Sequence, residues 1–166
     1  MTKGQDKSPP ALALMAGPGV PLNAAADWIA SHDHLEQEFW LSGAASRYRM
    51  SAADADAVLI DAGHPYQTRL LVRRPRDPAK FNGTVIVEWL NVSTGQDIDF
   101  VYAATRELIL REGYAWVGAS VQRVGVERLM AWNPTRYAVV GGRAHERPRH
   151  GQSAGPCPCL HRRGRW

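Results

Sequence analysis

The segment TVIVEWL, residues 84–90, constrains the fold of this chain more than any other. Its β-branched run lies between Gly83 and Asn91 and is continuous rather than alternating. That pattern marks a strand covered on both faces, the usual state of a strand in a parallel sheet. A helix is expected next. Asp97 and Asp99 offer N-caps, Val101, Ala104, Leu108 and Ile109 recur at helical spacing, Arg111 suits the last turn, and Gly113 is placed for a C-cap. Residues 114–121 (YAWVGASV) then read as a second, nearly continuous strand. Strand, helix and strand in this order predict a right-handed βαβ unit.

Two further strands are expected upstream. Residues 36–42 (EQEFWLS) end at Gly43, and residues 48–50 extend the pairing. Residues 67–73 (QTRLLVR) stop at Pro75, and Asp77-Pro78 and Asn82-Gly83 are turn dipeptides. Residues 1–34 are rich in Pro, Gly and Ala and read as a flexible leader with a short helix at 24–31. The apolar run at 11–16 is shorter than a signal-peptide core and is bracketed by Pro9, Pro10 and Pro18. Residues 122–130 suggest one helical turn, broken by Asn133-Pro134. No run approaches the ~18 apolar residues of a membrane-spanning helix. The expected organisation is a leader (1–34), a folded region (35–140) and a tail (141–166).

The net charge of +4 belongs to the tail. Residues 141–166 hold six arginines against one acid, Glu146, which gives +5, so residues 1–140 carry −1. The tail has almost no aliphatic residues, so it is expected to be disordered: it cannot bury enough apolar area to offset its ordering entropy. Its composition is what GC-rich coding sequence gives in the wrong frame. Cys157 and Cys159, near His145, His150 and His161, are spaced more tightly than zinc ligand pairs and have no second pair, so no metal is expected. The arginines lack interleaved aromatics or a recognition helix, which favours a solvated tail over a nucleic-acid surface.

Five blocks carry a family resemblance: residues 35–49 (LEQEFWLSGAASRYR), 66–75 (YQTRLLVRRP), 77–93 (DPAKFNGTVIVEWLNVS), 112–126 (EGYAWVGASVQRVGV) and 133–137 (NPTRY). In order and spacing they resemble the opening half of a bacterial α/β-hydrolase-domain family. The resemblance implies an α/β fold: an incomplete α/β-hydrolase sheet of first strands and one crossover helix. It also implies a further helix, a fifth strand, a nucleophile elbow and later acid and histidine loops, none with a credible counterpart here.

Several residues are candidates for chemistry. In α/β-hydrolases the loop after the third strand supplies one oxyanion-hole N–H. The resemblance places Asn91, Val92 and Ser93 there; the alternative is a polar strand exit that caps the next helix. Gln122 and Arg123 follow the fourth strand, where they either line a pocket mouth or satisfy strand-end carbonyls. Glu88, inside an apolar strand, is expected to pair with Arg69, Arg73 or Arg123. Trp28, Trp40 and Trp116 lie on expected elements and read as core. Gly151-Gln152-Ser153-Ala154-Gly155 fits G-x-S-x-G, yet a charged stretch with Pro148 precedes it and Pro156 follows, so Ser153 lacks the strand–turn–helix setting of a nucleophile.

These readings converge on part of a serine-type α/β-hydrolase. The full-length parent is expected to act on a small-molecule ester-type substrate without a cofactor or membrane, and this chain alone is expected to be inactive. The alternative is a non-catalytic binding protein with a basic, nucleic-acid-contacting tail; another is a subunit completed in trans. No signal in the residues sets a compartment or an oligomeric state.

Overall fold

The computed structural model describes residues 9–50 and 57–138. Five strands form one mixed sheet: β1 (Ala11–Leu14), β2 (His34–Met50), β3 (Ala57–Pro75), β4 (Val85–Trp89) and β5 (Ala115–Ala119), in the order β1-β2-β3-β5-β4. The helices are α1 (Ala26–Ser31), α2 (Phe100–Arg111) and α3 (Arg123–Trp132), with a single 3-10 turn at Pro78–Lys80. Neighbours are antiparallel from β1 to β5, and β4 runs parallel to β5. The expected βαβ unit is therefore β4–α2–β5, and the fold is mixed α/β.

Strand register sorts the side chains. Trp40 lies opposite Arg69, Glu38 opposite Leu71, Arg73 opposite Trp116, and Ile86 beside Trp116, so these share one face. Ile29 of α1 and Tyr102 and Ile109 of α2 pack with Leu71, Leu90 and Trp116 there. Leu129 of α3 packs with Met15, Leu22 and Tyr137, and Trp40 lies against them. The cores thus draw all three described helices to the same face.

The opposite face explains a failed expectation. β4 is not covered on both sides: Val85, Val87 and Trp89 are 50%, 70% and 66% exposed. β4 is an edge strand, and only Ile86 and Glu88 turn toward the helices. Its continuous apolar pattern calls for a second covering layer that no described element supplies.

Other elements differ from expectation at their ends. Within the segment read as a leader, β1 adds a strand, and Met15, Leu22 and Ile29 are buried. β2 and β3 pair far beyond the segments expected, from His34 opposite Pro75 to Met50 opposite Ala57. The ribbon past β1 is exposed, and Arg47 binds Asp61 there beside a register shift. α3 is a full helix rather than one turn.

α2 ends as expected and begins differently. Gly113 has φ +71°, and a Cβ on it would lie 2.1 Å from the Lys80 carbonyl oxygen, so only glycine fits. At the other end Asp99 holds the N-cap position but makes no capping bond; its carboxylate is taken by Arg73. Glu88, reaching across from β4, caps instead. Its two oxygens accept the N–H groups of Val101 and Tyr102 at 2.8 and 3.0 Å.

Candidate functional site

The parallel strands β4 and β5 end side by side, and the loops leaving their carboxyl ends are where an α/β sheet places chemistry. After β4, Asn91 and Ile98 form a bridge: the Asn91 N–H donates to the Ile98 carbonyl at 3.2 Å, and the Ile98 N–H returns at 2.8 Å. The bridge closes residues 91–98 into a compact loop. Inside it the Ser93 N–H donates to Asn91 Oδ1 at 2.8 Å, and the Gly95 N–H donates to the Val92 carbonyl at 2.9 Å. Of the three candidate amides, those of Asn91 and Ser93 are thus engaged. The Val92 N–H has no partner among the described residues.

The two pocket-edge candidates separate. Gln122, at the N-cap of α3, donates from Nε2 to the Leu90 carbonyl at 3.1 Å, tying the exit of β5 to that of β4. It satisfies a strand-end carbonyl. Arg123 does not join it: its side chain is 73% exposed and pairs with Glu127 one helical turn on, at 2.7 Å. Such a surface pair is worth little.

Beneath the loop lies a polar group that the residues did not announce. Asp97 is fully buried, and the Ser120 hydroxyl donates to its Oδ2 at 2.5 Å. The guanidinium of Arg69 stands 3.7 Å from the same oxygen, and Asn23 donates to the Asp97 carbonyl at 2.7 Å. Burial pushes the Asp97 carboxyl up, opposed by the Ser120 hydrogen bond and the Arg69 charge. Gly125 of α3 leaves room for it, since a Cβ there would sit 2.0 Å from Asp97 Oδ1. Asp97 was expected as a helix cap; it is instead the post on which the loop, β5 and α3 meet.

The sequence blocks bind one another through further buried ions. Glu38 accepts from Arg69 at 2.5 Å, from Arg136 at 2.7 Å and from the Tyr137 hydroxyl at 2.8 Å. Arg73 donates to Glu36 at 2.9 Å and lies 4.1 Å over the Tyr102 ring. Burial raises the Tyr102 phenol to about 12. Glu88 does not pair with an arginine as expected; besides the α2 amides it accepts the Trp116 indole N–H at 3.0 Å. Nothing local signals the Glu38–Arg136 contact, whose partners are 98 residues apart.

The parts of a catalytic triad do not meet among the described residues. Ser120 and Asp97 have no histidine beside them. His64 and Asp61 pair at 2.7 Å on the exposed ribbon, where Asp61 is also held by Arg47, and Ser31 contacts His32 at 3.0 Å beside the Trp28 carbonyl. No group of three or more His, Cys, Asp or Glu is placed to hold a metal among the described residues, and no helix there is long and apolar enough to cross a membrane. An apolar cleft of about 310 Å³ lies on the bare face between Val72, Phe81, Val85 and Val117, away from the loop. Ser153, Cys157, Cys159 and the rest of the basic segment lie outside the described residues.

No curated protein and no solved structure matches the chain. The alpha/beta hydrolase domain family matches residues 5–154. That span begins ahead of Leu35 and runs past Tyr137, wider at both ends than the blocks that carry the resemblance. With a strand order and crossover that suit such a sheet, and a match over most of its length, the chain belongs to the alpha/beta hydrolase domain family.

Proposed function

We propose that this chain is the opening part of a bacterial, serine-type α/β-hydrolase. In its full-length parent it would act on a small-molecule ester or similar acyl bond without a cofactor. By itself it is not catalytic. The observation that carries this reading is the loop after β4, where, of the three candidate amides, the Val92 N–H is the one without a partner among the described residues.

The chemistry follows from that donor. A serine Oγ adds to the carbonyl carbon, and negative charge collects on the carbonyl oxygen of the tetrahedral intermediate. The Val92 N–H supplies one hydrogen bond to that oxygen; the residue after the nucleophile supplies the other. The donor must be fixed before the charge develops, because reorientation during reaction would cost part of the gain. The Asn91–Ile98 bridge, the Asn91 side chain, the Gln122 tie and the buried Asp97 hold it.

The test joins residues 1–138 to the downstream half of a full-length family member. That chimera should hydrolyse p-nitrophenyl butyrate. Val92→Pro, which deletes the N–H, should lower its kcat by about 10²–10³. Turnover within twofold of the parent chimera would refute the assignment of Val92.

A further inference from the structure

A groove of about 300 Å³ opens between α1 and α2, and both of its walls belong to described elements. One wall is Trp28 of α1 with residues 23–25 ahead of it. The other is the face of α2 on which Tyr102, Ala103 and Arg106 follow Asp99 at helical spacing. Alanines at 24, 25 and 103 keep bulk out of the space between.

The polar groups of these walls are unequally used. The Asp99 carboxylate is taken by Arg73, and Glu36 accepts from Arg73 and from the Ala25 N–H. Arg106 has no acid partner among the described residues. Its guanidinium lies 4.5 Å over the Trp28 ring, a contact that steadies it without consuming its N–H donors. One turn earlier, Tyr102 is 3% exposed, and its hydroxyl is buried without a hydrogen-bond partner among the described residues. Buried hydroxyls ordinarily have one. With the phenol raised to about 12, this hydroxyl stays protonated at neutral pH and is a donor.

We propose that the groove binds a small aliphatic monocarboxylate, held by the Arg106 guanidinium and the Tyr102 hydroxyl. The planar guanidinium matches a carboxylate with two parallel N–H···O bonds. The hydroxyl donates to the same head group and gains the partner it lacks. The alanines and the Trp28 ring take the apolar body. The head group carries a single charge, because Glu36 and Asp99 act on the Tyr102 hydroxyl together with Arg73 and Arg106. Two acids balance two guanidiniums, which leaves no excess of positive charge for a dianion such as phosphate. The site goes beyond the reading of the loop after β4 and does not depend on it.

The experiment is NMR titration of the full chain with sodium butyrate at neutral pH and constant ionic strength, with inorganic phosphate as the comparison. Saturable shifts are expected at the Trp28 indole N–H and at the Ala25 and Ala103 amides. Arg106→Gln should raise the dissociation constant about tenfold or more. Tyr102→Phe removes a hydroxyl that bonds nothing in the fold and should raise it about threefold. Arg111→Gln, whose parent side chain pairs with Glu112, should leave it unchanged. Circular dichroism confirms that each variant keeps its helices. Shifts that do not saturate overturn the proposal. So do equal shifts with phosphate, an Arg106→Gln or Tyr102→Phe variant that binds like the parent, or an Arg111→Gln variant that binds as weakly as Arg106→Gln. An active chimera beside a chain that binds no butyrate would sink this proposal alone. An inactive chimera beside saturable butyrate binding would sink only the functional reading.

Discussion

At the scale of single residues, Glu88 and Asp97 show how buried acids are used here. Glu88 accepts three hydrogen bonds, from two helix amides and an indole, and removing it leaves all three donors unpaired in the core. Hydrogen bonds to charged groups contribute more than neutral ones, and stranded donors carry their full desolvation cost. Glu88→Ala should therefore destabilise the fold by about 3 kcal/mol, measured by urea denaturation. A loss below about 1 kcal/mol would show that α2 is not capped from β4. Asp97 gives a pH prediction. Burial raises its folded-state carboxyl above the ordinary value of 3.8, so the folded chain holds the proton more tightly than the unfolded one. Its contribution is fully present below about pH 3.8 and is lost as pH rises through the folded value. Asp97→Asn, which cannot ionise, should gain stability relative to the parent on going from pH 3.5 to 7. A difference independent of pH would remove the burial argument.

At the scale of elements, the joint between α2 and β5 depends on Gly113. Its positive φ and the 2.1 Å approach of the Lys80 carbonyl to any Cβ leave no relaxed place for another residue. Gly113→Ala should cost about 1–3 kcal/mol, seen as a lowered Tm; an unchanged Tm would mean that the turn shifts freely. The β4–α2–β5 unit was legible because two continuous apolar runs flank a segment of helical spacing there and Gly113 punctuates them. β1 was hidden because four apolar residues between prolines look like a leader until β2 is placed beside them. α3 was underread because Gly125 weakens its helical pattern, and the reason for that glycine is Asp97, far off in sequence. The loop at Asn91 was placed by resemblance alone. That Val92 is the unengaged one among Asn91, Val92 and Ser93 depended on the Asn91 side chain and the Ile98 bridge, which no spacing rule reports.

At the scale of the whole molecule, the described helices all lie on one face of the sheet. The bare face carries the exposed Val85, Val87 and Trp89 and an apolar cleft. Contiguous exposed apolar surface of this kind marks an interface or an aggregation site. The chain should bind an environment-sensitive dye such as anilinonaphthalene sulfonate and melt over a broad range; a sharp melt without dye binding would contradict an uncovered face. The family match reaches residue 154, which weighs against an out-of-frame origin for residues 141–154. The central proposal is that the loop after β4 supplies an oxyanion-hole amide, while no nucleophile, base and acid meet among the described residues. The most direct measurement is p-nitrophenyl acetate hydrolysis by the purified chain and its Ser153→Ala variant. Both are predicted to match the buffer rate, because nucleophile, base and acid act as a unit. Turnover by the parent chain that Ser153→Ala abolishes would contradict the account.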